Sequence, residues 1–179
     1  MPPADIKEFR GQVRAELIRA GFKPRKFDRR APPVWTLPQP EVVPTFFPHE
    51  LRRPYGFHLT GSIGIELPEL RAWLKAERAT EAIGIFAAGF VSCHIANDLL
   101  LHNFRVAFGE EPPLADWIST IKERLSGFPR TLDELVEVYR TAPDRLLGLG
   151  HSVNKPASDF LVDWYPERRT AVPIPQTFF

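Results

Sequence analysis

Cysteine is nearly missing from this chain. One thiol, Cys93, among 179 residues excludes an internal disulfide and any zinc site built from several thiolates. Long apolar runs are missing as well, so no membrane-spanning helix is expected. Met1-Pro2-Pro3-Ala4-Asp5 has no basic segment leading into an apolar one, so no secretory signal is expected and the expected compartment is the cytoplasm. An excess of one charge is also lacking. The 23 Lys and Arg stand against 22 Asp and Glu, for a net charge of +1. Such a chain has no global field with which to collect nucleic acid. It shows no internal repeat and no low-complexity block.

What is present is ordinary in bulk and unusual in arrangement. Hydrophobic residues make up 44% and charged residues 25%, as in a soluble protein with its own core. The length suits one domain over 1–179. Proline is the abundant residue, at 19 positions. Pro32, Pro33, Pro38, Pro40, Pro44, Pro48 and Pro54 crowd the stretch 31–54. Proline donates no backbone hydrogen bond and biases its predecessor to extended conformations. The stretch is therefore expected to be an extended arm or an edge strand, not a helix or a central strand. Trp35, Phe46 and Phe47 are too apolar for a solvated linker, so the arm should be packed. A second extended segment, the tail 152–179, ends in Phe178-Phe179.

The cleanest pattern is Phe57-His58-Leu59-Thr60-Gly61-Ser62-Ile63-Gly64-Ile65-Glu66-Leu67. Its apolar residues fall on odd positions and its polar ones on even positions, the signature of a strand with one covered face. It predicts a central strand. Ala82 to Ala96 reads as a second strand, with a buried helix as the rival reading, and Leu99 to Phe108 as a third. Helices are expected over Asp5–Ala20, from Pro68 to about Arg78, over Leu114–Leu125, and after Thr131. Asp5 with Glu8 and Thr131 with Glu134 have capping-box spacing. Gly21 sits where a left-handed cap belongs. Adjacent strands without helices between them imply antiparallel pairing. The expected fold is an α+β two-layer sandwich, mainly an antiparallel sheet with helices on one face. Ala20-Gly21-Phe22-Lys23 at a helix end, followed by a sheet, resembles the opening of a set of small uncharacterised bacterial α+β domains. That resemblance implies no activity.

No complete catalytic constellation emerges. Gly150-His151-Ser152-Val153-Asn154 resembles the nucleophile elbow of α/β-hydrolases, but Asn154 replaces its last glycine and no histidine follows Ser152. Cys93 and His94 are neighbours in sequence, and on a strand neighbours point apart. Gly61-Ser62-Ile63-Gly64 lacks the lysine of a phosphate loop. The even face of the central strand is more suggestive. His58, Thr60, Ser62 and Glu66, with Ser92 and His94 from the second strand, form a candidate pocket for acid–base chemistry or a divalent metal. The bland reading is a solvated or arm-covered sheet face. The basic cluster Lys23, Arg25, Lys26, Arg29 and Arg30, with Arg52-Arg53 and Arg168-Arg169, could hold phosphates, but balanced acids elsewhere do not favour nucleic acid.

The sequence thus favours a non-enzymatic interaction protein of bacterial type: an antidote, an adaptor or a dimer-forming binder. It would contact another protein or a second copy of itself through Trp35, Phe46, Phe47, Phe178 and Phe179, with no cofactor, no metal and no membrane. The alternative is a metal-dependent enzyme or small-molecule binder using His58, Glu66 and His94.

Overall fold

The computed structural model describes residues 1–25, 33–69, 90–94, 104–142 and 152–153. Among them are three helices, α1 (Ile6–Arg19), α2 (Leu114–Ser126) and α3 (Leu132–Thr141). Seven strands accompany them: β1 (Lys23–Arg25), β2 (Val34–Thr36), β3 (Val43–Arg53), β4 (Gly56–Glu66), β5 (Phe90–His94), β6 (Arg105–Ala107) and β7 (Ser152–Val153). The strand order is β1-β2-β3-β4-β5-β7, with β6 also paired to β4. The pairs β1/β2, β2/β3, β4/β6 and β5/β7 are antiparallel. The α+β class with a mainly antiparallel sheet follows. By contacts the chain divides into two compact units. The first holds Met1–Pro38, Thr45–Ile63 and His94–Gly127, and the second Gln39–Pro44, Gly64–Cys93 and Phe128–Phe179.

In the first unit, α1 begins where Asp5 accepts the Glu8 amide at 2.8 Å, while the Glu8 carboxylate accepts from Ala4 N–H at 2.7 Å. Two otherwise orphaned donors are thereby satisfied. Phe9, Val13 and Leu17 form its buried stripe. The helix ends as its glycine predicts. Gly21 has φ +92°, and the amides of Gly21 and Phe22 donate to the carbonyls of Ile18 and Leu17 at 3.0 and 2.9 Å. These are the two bonds of a Schellman cap, with buried Phe22 and Leu17 as its apolar clasp.

The odd positions of β4 are interior, with Phe57, Leu59 and Ile63 at most 2% exposed. Phe57 lies opposite Val106 of β6, and the Leu59 amide donates to the Phe104 carbonyl at 3.1 Å. Opposed residues share a face, so Phe57, Leu59, Phe104 and Val106 stand on one side. Phe9 of α1 stacks on Phe57 at 5.2 Å between ring centroids. Trp117 of α2 stacks on Phe104 at 5.4 Å. Both helices therefore cover the same face of this unit's strands, as expected, and they pack on each other. Each fully buried phenylalanine here stabilises by roughly 2 kcal/mol through burial alone.

The expectation for 31–54 needs correction. β3 is not an edge strand or an arm. It runs between β2 and β4. Its prolines explain how. A Cβ placed on Gly61 of β4 would lie 2.0 Å from the Phe47 carbonyl oxygen, so the backbone of Phe47 faces β4. Backbone groups alternate along a strand, so Pro48 turns its missing donor away from β4. The β2 pairing is confined to Trp35–Phe46 and Thr36–Thr45, and Pro44 and Pro48 both fall outside those paired residues. A central strand tolerates proline where no ladder bond is needed.

Two further expectations are refined. Of 99–108, the described strand is only Arg105–Ala107. Phe108 has left the register, is 43% exposed, and Gly109 turns the chain at φ +84°. Of 82–96, Phe90–His94 is a strand, and the rest lies outside the described residues. Pro68 and Glu69 are helical; the remainder of that expected helix also lies outside them.

The second unit contains the end of β4, where Ile65 and Glu66, with Leu67 just after them, have no exposed surface. Its β5/β7 pair sets Val91 opposite Val153 and Ser92 opposite Ser152. Helix α3 starts on Thr131, whose hydroxyl accepts the Glu134 amide at 3.1 Å. Glu134 in turn accepts from Arg130 N–H at 2.7 Å. Glu41 accepts the Leu132 amide at 3.0 Å, fastening the helix start to the 39–44 segment. Leu132 and Leu135 are its buried positions.

Candidate functional site: a basic sheet face

The face of the first unit's strands turned away from α1 and α2 can be assembled from the registers. Facing pairs link Lys23 to Thr36, Arg25 to Val34, Thr36 to Thr45, and His58 to Arg105. Along β3, Phe46 and Glu50 belong to the helix side. Phe46 is fully buried, and Glu50 pairs with Arg10 of α1 at 3.8 Å. Phe47, His49, Leu51 and Arg53 therefore occupy the other side. With His58 and Thr60 of β4, that side carries Lys23, Arg25, Arg53, Arg105, His49 and His58. None of its described strand positions in this unit is Asp or Glu. Val34, Thr36 and Thr45 of this face are buried, whereas Lys23, Arg25, His49, Arg53 and Arg105 are exposed.

The richer end lies at the hairpin joining β3 to β4 through Pro54-Tyr55. The Phe108 amide donates to the Tyr55 carbonyl at 3.3 Å, which ties the β6 turn to the hairpin. Tyr55 is 53% exposed, and its ring leans on His58 at 5.3 Å. Arg52 covers the Phe108 ring at 5.5 Å from the opposite side of the hairpin. Glu110 follows the β6 turn, and its carboxylate accepts from the Ala107 amide at 3.4 Å.

His58 is half-buried, and its Nε2 is closed to solvent with no hydrogen-bond partner among the described residues. Burial disfavours its charged form, and the neighbouring Arg105 and Arg53 add repulsion. Its pKa is held below the ordinary histidine value. At neutral pH it is an uncharged ring between two guanidinium groups.

The sequence-predicted pocket residues divide as follows. His58 and Thr60 lie on the basic face and are half-buried. Glu66 has the same parity but no exposed surface. Ser62, Ser92 and His94 lie on β4 and β5, and their side chains are outside the described ones. Among the described residues no cluster of three His, Cys, Asp or Glu could hold a metal ion. Ser152, of the elbow-like motif, lies in strand β7. Of the predicted partner contacts, Trp35 and Phe46 are interior residues facing each other across β2 and β3, Phe47 is half-buried, and Phe178 and Phe179 lie outside the described residues. The sequence reading named Arg52-Arg53 as a basic pair but missed Arg105, which stands between Phe104 and Val106 and is brought beside His58 only by the β4/β6 register.

Comparison with known proteins gives no match: no family model fits the chain, and no curated protein or solved structure is significantly similar to it. No helix among the described residues is long and apolar enough to cross a membrane.

Proposed function

We propose that this protein acts by binding another protein, without catalysis, and that the hairpin end of the basic sheet face is its contact surface. The supporting observation is charge segregation. A chain with almost balanced charge sets Arg53, Arg105, His49 and His58 on one face of the first unit's strands, with no acidic residue among that unit's described positions on the face. Arginine and tyrosine dominate the energetic centres of protein interfaces, and Tyr55 supplies exposed area beside the guanidinium groups.

Site-specific photo-cross-linking tests this reading. A benzoylphenylalanine at Tyr55, in the cells that make the protein, is expected to give a discrete protein adduct. The same group at exposed Glu123 of α2 is expected to give none, and Arg53→Glu is expected to abolish the Tyr55 adduct. Equal labelling from both positions, or no adduct from either, overturns the proposal. An adduct to a second copy of the chain would make the partner itself.

A further inference from the structure

Helix α1 carries a second surface, independent of the hairpin contact proposed above. We infer that the outer ridge of α1 docks an acidic helix of a partner protein, seated over Gly11 with its carboxylates on Lys7 and Arg14.

Helix geometry defines the ridge. At about 100° per residue, Lys7, Arg14 and Ile18 fall within about 60° of Gly11 around the axis, and the four span about 16 Å along it. All four are exposed, while Phe9 and Val13 on the opposite side are buried. Three of the four are residues that α1 alone does not favour. Lys7 is the second helical residue, where free N–H groups and the helix dipole disfavour a cation. Gly11 stands mid-helix, where glycine is a poor helix former. A Cβ there would meet nothing within 4 Å, so no described neighbour requires glycine. Ile18 leaves a large apolar side chain 53% exposed. Departures from local preference concentrate at functional sites, and these three share one ridge.

Its charges are also unmatched. Arg10 pairs with Glu50 and Arg19 with Glu16. Lys7 and Arg14 have no ion-pair or hydrogen-bond partner among the described residues. Charge complementarity therefore selects an acidic occupant. Lys7 and Arg14 lie two turns apart, a spacing that a helix laid along them repeats. Between them the missing side chain of Gly11 leaves a notch for a large apolar residue of the partner, and Ile18 extends that contact.

Other occupants fit less well. A membrane would find only Ile18 to take up, because the apolar stripe Phe9, Val13 and Leu17 is committed to the core. Nucleic acid would find two free cations and no free amide, since Gln12 already donates to the Met1 carbonyl at 3.0 Å. The α1 of a second copy repeats both cations. On α3, Glu134 already accepts from Arg130 N–H and Glu137 already pairs with Arg140.

The test is an NMR titration of the isotope-labelled whole chain with a stapled helical peptide bearing two glutamates seven residues apart and a leucine midway. The same peptide with lysines, vesicles of phosphatidylserine, and oligothymidylate are the comparisons. Amide shifts centred on Lys7 to Ile18 are expected with the glutamate peptide. Lys7→Glu/Arg14→Glu should weaken its binding by about tenfold or more with no loss of melting temperature. Gly11→Leu should raise the melting temperature by about 2–4 °C and weaken the peptide severalfold, a pair of opposed changes that a purely structural glycine would not give. No response at millimolar peptide overturns the inference. So does an equal response to the lysine peptide, a stronger one to vesicles or oligothymidylate, or undiminished binding in Gly11→Leu. Dimerisation seen by light scattering and lost in Lys7→Glu/Arg14→Glu would make a second copy the occupant and overturn the acidic partner. The Tyr55 adduct does not depend on these variants, so the two readings fall separately.

Discussion

Phe57 of β4 meets Phe9 of α1 in a stacked pair, with centroids 5.2 Å apart and planes inclined by 17°. The same Phe57 receives the edge of Phe108 at 5.1 Å and 89°. One ring thus links the first helix to the turn beside the basic face. Phe57→Ala is expected to cost about 3–5 kcal/mol, the range for emptying a buried aromatic site. Phe108→Ala should cost under about 1 kcal/mol, because Phe108 is half in solvent already. Urea denaturation of the two variants measures the difference.

Two of the positive-φ glycines, Gly21 and Gly61, separate conformational cost from collision. At Gly21 an added Cβ meets nothing within 4 Å, so Gly21→Ala should lose only the left-handed preference, about 1 kcal/mol. At Gly61, φ +153°, the Cβ would strike the Phe47 carbonyl oxygen at 2.0 Å. The backbone must move there, and Gly61→Ala should cost about 3 kcal/mol or more. Comparable losses at the two sites would contradict the close approach of β3 to β4.

Glu50 and His58 give opposite pH signatures. Glu50 has a raised pKa: burial outweighs its own backbone hydrogen bond and the attractions of Arg10 and His49. A raised carboxyl pKa means the folded state holds the proton more tightly. Its stabilising contribution is present below the ordinary glutamate value and is lost as pH rises through the folded value. Glu50→Gln should therefore gain in melting temperature relative to the parent between about pH 4 and about pH 7. The lowered pKa of His58 acts the other way. Its contribution is present above the ordinary histidine value and is lost as pH falls through the folded value. His58→Asn should flatten the loss of stability below about pH 6.5.

Helix α3 rests on two caps of different origin. Thr131 serves the Glu134 amide, and Glu41, distant in sequence, serves the Leu132 amide. Thr131→Ala and Glu41→Ala should each cost about 1 kcal/mol. Amide hydrogen exchange should quicken in the first turn of α3 in both. A Glu41→Ala variant with unchanged protection would remove the tie between segment 39–44 and the helix.

Local signals were readable where one residue type settles one local question. Asp5 and Glu8, Thr131 and Glu134, and Gly21 mark helix ends by chemistry that acts within a single turn. The odd positions of β4 and the stripe Leu114, Trp117, Ile118, Ile121 and Leu125 report burial directly. Pro44 and Pro48 misled, because sequence does not say which side of a strand lacks its donor. Trp35 and Phe46 were ambiguous for a similar reason: an aromatic pair in an extended segment looks alike whether it packs on its own sheet or on another molecule. Glu66 broke the rule that even positions of β4 are open. The Arg52-Arg53 pair was legible, but Arg105 was not, because only the β4/β6 register sets it opposite His58.

At one end of the described strand order, β1 is three residues long and reads Lys23-Pro24-Arg25, all exposed. A newcomer strand seeking to extend the sheet there would find one amide donor missing and two positive charges to desolvate. Growth of the sheet into fibrils or open stacks is obstructed at that margin. At that margin a second molecule is steered toward side-chain surfaces and away from backbone zippering.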